Sequence, residues 1–116
     1  GHLRSMVRGS KVSADISFGK VPVLPGTWDL LQQGVLPGGT VRNLQSVAGS
    51  AHWHEDLTEN QRLLMCDAQT SGGLLISVPQ EKLQSLLSEL DAAGVATRSV
   101  VGKIAADHRG EIRVTA

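Results

Sequence analysis

The sequence predicts an α/β (α+β) domain, a layered mixed sheet of about four strands flanked by helices. Three observations predict it. Apolar residues at helical spacing alternate along the chain with short strand-like runs. The clearest helix is followed by two further strand patterns toward the C-terminal end. At 116 residues and 41% apolar content, the chain fits one domain with a core of its own. Folding at this length removes roughly two-thirds of the extended surface from water, enough to offset the ordering entropy without disulfides. That core is aliphatic, because Phe18, Trp28 and Trp53 are the only aromatic residues.

Leu3, Met6 and Val7 lie at helical spacing, and Gly9 is placed to end that first helix. Val12 to Ile16 alternates as a short strand. Pro22 and Pro25-Gly26 punctuate the next segment. Thr27 then reads as an N-cap, with Trp28, Leu30 and Leu31 forming a short apolar face stopped by Gly34. Pro37 to Thr40 reads as a tight loop, and Ala48 to Asp56 as a polar surface excursion. Leu57 to Met65 reads as a helix. The polar loop Asp67 to Gly73 leads into Leu74–Val78, a continuous apolar run expected to be a central strand buried on both faces. Leu83, Leu86, Leu87 and Leu90 define a helix over Gln80 to Ala93, closed by Gly94. Val95 to Ile104 and Glu111 to Thr115 read as strands, joined in a hairpin by Asp107-His108-Arg109-Gly110.

Charge and composition exclude several functions. Eleven basic side chains balance eleven acidic ones, so there is no one-signed field to hold nucleic acid, and stacking aromatics are scarce. No apolar run approaches a bilayer span, and no charged-then-apolar signal segment opens the chain, so no membrane partner is expected. A single cysteine, Cys66, forms no internal disulfide, which suits a reducing cytoplasm. Gly1 in place of Met is compatible with a piece of a longer protein.

Two glycine pairs stand out chemically. Gly38-Gly39-Thr40 with Asn43, and Asp67 followed by Gln69-Thr70-Ser71-Gly72-Gly73, set hydroxyl and amide groups beside permissive backbone. Such backbone lets N–H groups converge on an anion, although neither pair matches a phosphate loop or dinucleotide fingerprint and a plain turn is the commoner meaning. Asp67 is expected to cap the N–H groups of Thr70 and Ser71. His52, His54 and Glu55 have ligand-like spacing but no evident third or fourth partner, so no metal site is assigned. Cys66 follows an apolar run and is expected to be an inert packed thiol. His108 and Arg109, and the basic cluster Arg4, Arg8 and Lys11, read as solvated. No catalytic triad, carboxylate pair or metal cage assembles, and no catalytic residue is assigned.

The run Leu64-Met65-Cys66-Asp67-Ala68-Gln69-Thr70-Ser71-Gly72-Gly73-Leu74-Leu75-Ile76 resembles the Asp-Pro-Gln-Thr-Ser-Gly-Gly-Leu-Leu signature of selenophosphate synthetases (selenide, water dikinases). Val35 to Asn43 resembles their Val-Pro-Gly-Gly-Thr-x-x-Asn segment, Gly1 to Met6 the end of a Gly-His-Leu-x-Glu-Met run, and Val21 to Gly26 also fits. The segments fall in the family's order and cover essentially the whole chain. Ala68 stands where the family carries proline, freeing that φ, and Ser5 where it carries glutamate.

The resemblance implies a single C-terminal domain, residues 1–116, of the aminoimidazole-ribonucleotide-synthetase superfamily, with partial ferredoxin-like character. It implies an enzyme that converts selenide, ATP and water to selenophosphate, AMP and phosphate, with Mg2+ neutralising the phosphates. The implied partner is an N-terminal ATP-binding domain of the same chain, which would carry the catalytic cysteine (or selenocysteine) and lysine; the full-length enzyme would be a homodimer. Residues 1–116 are then expected to be inactive alone. Gly38, Gly39, Thr40, Asn43, Asp67, Gln69, Thr70, Ser71, Gly72 and Gly73 are expected to line the nucleotide cleft. Other superfamily enzymes (hydrogenase maturation, thiamine-phosphate kinase, purine synthesis) and a free-standing binding or assembly module are the alternatives.

Overall fold

A computed structural model describes residues 1–116. Helix α1 (His2–Ser10) presents Val7 to the core and runs one residue past Gly9; Lys11, in the left-handed region at φ 52°, closes it. Strand β1 (Ser13–Ser17) buries Ala14 and Ile16. Helix α2 (Thr27–Gln32) begins on Gly26, so Thr27 is its first residue rather than its cap. The Gly34 N–H then donates to the Leu31 carbonyl.

The segment expected to be a tight loop at Pro37 to Thr40 is instead the start of helix α3 (Gly38–Ser46), entered from the extended backbone of Pro37. The first turn needs no intrahelical N–H donors, so glycine is tolerated there better than in a helix interior. Within the stretch read as a surface excursion lies strand β2 (Ala51–Trp53). Helix α4 (Glu59–Met65) starts two residues later than expected, on a capping box: Gln61 N–H donates to Thr58 Oγ1 while Thr58 N–H donates to Gln61 Oε1.

The largest departure is at Leu74–Val78. This run joins no sheet, and Leu74 is 91% exposed. A short 3₁₀ turn (Gln80–Lys82) leads into α5 (Leu83–Ala92), within the expected range. Of the strand expected from Val95, only β3 (Gly102–Ala105) forms, and β4 (Ile112–Thr115) completes the chain.

The four strands make one mixed sheet in the order β2-β4-β1-β3. Strand β4 runs parallel to both β1 and β2, whereas β3 is antiparallel to β1. The expected β3–β4 hairpin therefore does not exist: β1 lies between the two strands, with Ala14 opposite Ile104 on one side and Ile112 on the other. Alternation in β1 and β4 gives the sheet one apolar face. Val7, Ala14, Ile16, Leu57, Ile112 and Val114 pack there, and Trp53 links them to a second cluster of Val47, Ala51 and Cys66. This second cluster brings the end of α4 against α3.

The opposite face is polar. Arg113 donates through Nε to Asp15 Oδ1 (2.5 Å) and through Nη1 to Asp107 Oδ2 (2.9 Å). The fully buried Ser13 hydroxyl donates to Asp107 Oδ1 (2.5 Å) and accepts from the Glu111 N–H (3.2 Å). These bonds, from Ser13 above all and then Arg113, hold the Asp107 carboxyl well below its usual range; Asp15 and then Asp107 push the Arg113 guanidinium further up. The network anchors the connection between β3 and β4 to the strand that separates them.

Candidate functional site

The two glycine segments are 27 residues apart in sequence, from Thr40 to Asp67, and meet in space. Helix α3 and the exit of α4 pack through Val47 and Cys66, and this brings the first turn of α3 against the Asp67 loop. Thr40, 1% exposed, makes the junction. Its hydroxyl donates to Asp67 Oδ1 (3.1 Å) and accepts from the Ala68 N–H (3.2 Å). One helical turn on, Asn43 Nδ2 donates to the Cys66 carbonyl at 3.0 Å, satisfying one of the last orphan acceptors of α4. A Cβ on Gly39 would stand 3.0 Å from the Ala68 Cβ, so the approach needs glycine on the helix side.

Beyond Ala68 the loop opens to solvent. Asp67 Oδ2 accepts from Gln69 Nε2 (3.1 Å), so its carboxylate fastens Thr40 and Gln69 and does not cap Thr70 or Ser71 as expected. The Gln69 side chain folds back over Gly72, where its Oε1 lies 2.7 Å from the place a Cβ would occupy. Thr70, Ser71, Gly72 and Gly73 are exposed. Of the ten sequence-expected positions, the structure thus joins Gly39, Thr40, Asn43, Asp67 and Gln69 into one bonded unit. Gly38 stands beside it at the start of α3, and Thr70 to Gly73 project from it.

Sequence reasoning overlooked one residue at this place. The Arg42 guanidinium lies 4.0 and 3.9 Å from where Cβ atoms of Gly38 and Gly39 would stand. Its signal was the helical i+3 and i+4 offset from the glycine pair, which is visible only once α3 is recognised. The first turn of α3 thus sets backbone N–H groups beside a guanidinium, a donor pair suited to an anion, and the exposed loop carries the Thr70 and Ser71 hydroxyls. This surface does not suit magnesium. Asp67 is the only carboxylate in the two segments, both of its oxygens are engaged, and no group of three or more His, Cys, Asp or Glu side chains forms anywhere in the chain.

The remaining candidates lie elsewhere. Cys66 is buried, and burial pushes its thiol up, as befits a packed and unreactive group. His52 Nε2 faces Glu111 at 3.6 Å and His54 Nδ1 faces Asp56 at 3.2 Å, so the two imidazoles address different carboxylates. His108 Nδ1, as the protonated ring nitrogen, donates to the Lys11 carbonyl at 3.0 Å, and its neighbour Arg109 is exposed. No helix is long and apolar enough to cross a membrane.

Among known proteins, the chain is 45% identical over 96 residues to a selenide, water dikinase of Shewanella baltica (strain OS185), an alignment covering 83% of this chain and 26% of that protein. It is 42% identical over 103 residues to the selenide, water dikinase of Photobacterium profundum (81% and 29%) and 37% identical over 106 residues to that of Pseudomonas straminea (91% and 30%). The chain thus spans less than a third of the length of these relatives. The family model described as AIR synthase related protein, C-terminal domain, matches residues 1–115. With its four-stranded mixed sheet and the order of its glycine segments, the chain belongs to the AIR synthase related protein C-terminal domain family.

Proposed function

We propose that residues 1–116 are the C-terminal domain of a selenide, water dikinase and supply one wall of its nucleotide cleft. The observation that carries this reading is the Thr40 hydroxyl, which ties the first turn of α3 to the Asp67 loop and so gives both glycine segments one surface. The relatives are named for selenide and water as substrates of a dikinase, and the reaction we propose is the one the family resemblance implies, in which selenide, ATP and water give selenophosphate, AMP and phosphate.

On this reading the exposed N–H groups at the start of α3, the Arg42 guanidinium, and the Thr70 and Ser71 hydroxyls hold and orient phosphate oxygens. Asp67 does not meet the nucleotide: Thr40 and Gln69 occupy it, and its work is to keep the loop's shape. Magnesium would neutralise the phosphates when bound, held by carboxylates of the N-terminal ATP-binding domain, the partner in the same chain. With no base, nucleophile or carboxylate pair of its own, the domain is inactive by itself. The whole enzyme, a cytoplasmic homodimer on this reading, turns over only when the two domains face each other.

The test uses the full-length protein and follows selenophosphate and AMP by phosphorus NMR. The double variant Thr70→Ala/Ser71→Ala removes two exposed donors without touching a bond of the fold, and is expected to raise KM for ATP about tenfold or more, the loss of roughly 1.4 kcal/mol of binding. Unchanged kcat and KM would remove the cleft-wall role. ATP turnover that ignores selenide would place the chain with another branch of its superfamily.

A further inference from the structure

The polar face of the sheet ends in a hollow that the bonds of the fold leave open. Register lays out its walls. Lys103 on β3 stands opposite Asp15, and Thr115 on β4 opposite Ser17, so these four side chains share one face of the sheet. After Ser17 the chain turns through Phe18–Lys20, and the Ser99 hydroxyl donates to the Lys20 carbonyl at 2.6 Å, which pins that turn to the segment before β3. Gly102 permits the close approach of β3, because a Cβ there would collide with the Asp15 carbonyl. The hollow measures about 270 Å³, and Asp15, Ser17, Lys20, Val100, Lys103 and Thr115 are among the residues that line it.

Its charges do not cancel. Arg113 holds both Asp15 (2.5 Å) and Asp107 (2.9 Å), so the carboxylate in the hollow is already engaged. Lys103 Nζ stands 3.9 Å from Asp15 Oδ2 on a side chain that is 79% exposed, a loose contact that water screens. Lys20 pairs with no carboxylate. Lys20, Lys103 and Arg113 against Asp15 and Asp107 leave one positive charge at this end of the face. The Ser17 hydroxyl reaches the Ala116 carbonyl at 3.3 Å, longer than an ordinary O–H···O bond, and Thr115 is exposed. The larger hollow, between α2 and the start of α4, is different: Glu59 and neutral amides line it beside Trp28, with no cation.

Two ammoniums and two hydroxyls at the carboxyl ends of parallel strands are a donor set placed where open α/β sheets hold their ligands. We propose that Ser17, Lys20, Lys103 and Thr115 form a binding site for a phosphate group, either inorganic phosphate or the phosphate of a small phosphoester whose carbon atoms rest on Val100. The volume falls just below the roughly 300 Å³ at which small-molecule sites begin, too little for a nucleotide. The site lies on the β1–β3 side of the sheet, whereas α3 packs on Ala51 of β2 at the opposite edge, so it does not depend on the cleft-wall reading.

Titration of the 116-residue chain with inorganic phosphate, followed by amide NMR at an ionic strength held constant with chloride, tests it. Saturable shifts are expected at the amides of Ser17, Lys20, Lys103 and Thr115. The double variant Lys20→Gln/Lys103→Gln should bind at least about tenfold more weakly. Lys20→Arg/Lys103→Arg, which keeps both charges, should stay within about threefold of the parent. No saturable shift at these four amides overturns the proposal, and so does an affinity that the glutamine variant leaves unchanged. An equal loss in the arginine and glutamine variants overturns it too, because charge would then not be what binds. Shifts confined to residues 38 to 43 and 67 to 73 would place the phosphate on the α3 surface instead, sinking this site and sparing the cleft-wall role. Glycerol phosphate, the second probe, separates the two sources: binding about threefold or more tighter than inorganic phosphate assigns the phosphoester, and equal or weaker binding assigns free phosphate.

Discussion

Replacing Thr40 by valine removes one oxygen from the centre of the candidate site and almost nothing else. The two side chains have nearly the same shape and similar helix propensity, so α3 and its packing are retained. Two hydrogen bonds are lost. Asp67 is exposed, and its carboxylate recovers most of its share from water. The Ala68 N–H is part-buried against α3 and does not, which leaves a donor unpaired. The expected loss is about 1–2 kcal/mol. Unfolding entropy near 2.1 cal/mol/K per residue amounts to about 0.24 kcal/mol/K for the chain, so Tm should fall by about 4–8 °C. Thermal unfolding followed by circular dichroism measures the shift, and Thr40→Ser, which keeps the hydroxyl, should recover at least half of it. A Thr40→Val chain melting within about 1 °C of the parent would mean that the hydroxyl does not hold the two segments together.

Three further outcomes rest on the same geometry. Gly39→Ala drives a Cβ to 3.0 Å from that of Ala68 and should cost about 1 kcal/mol; adding Ala68→Gly should restore most of it, a coupling that urea titration of the double-mutant cycle reads directly. Asp107 has its folded pKa depressed below the ordinary 3.8, chiefly by the Ser13 hydroxyl, so its contribution is complete above about pH 4 and is lost as pH falls further. The parent's Tm should accordingly drop more steeply between about pH 4 and pH 2 than that of Asp107→Asn, and parallel curves would contradict the network's role. Cys66 has its pKa raised by burial above the ordinary 9.0, so a thiol reagent at about pH 8 should label the native chain at least roughly tenfold more slowly than the urea-unfolded one, and equal rates would argue against a packed thiol.

Much of the architecture was readable from local pattern. Leu83, Leu86, Leu87 and Leu90 mark α5 because side chains three and four apart share a helix face, and Ile112 and Val114 mark β4 because alternate residues share a sheet face. What failed was non-local or short. The turn at Asp107 to Gly110 implied a hairpin, but no local signal reveals that β1 inserts between the two strands it connects. Pro37-Gly38-Gly39 has the composition of a turn, and only its neighbours make it the entry to α3. Strand β2 is three residues long and includes an exposed His52, too little to show a period. The run Leu74–Val78 says that burial is favourable without saying against what. At the candidate site both glycine segments were visible in the sequence; their union through Thr40 was not, because it depends on how α3 and α4 pack.

The strand order also bears on when this sheet can exist. Strand β4 follows β1 and β2 in sequence, yet it is the only link between them in the sheet. Until residues 112 to 115 have cleared the ribosome, β2 has no neighbour to pair with and the Ile112 and Val114 places in the core stand empty. A nascent chain arrested a few residues short of Ile112 should therefore lack β2's only pairing and be more sensitive to protease than the chain that includes β4.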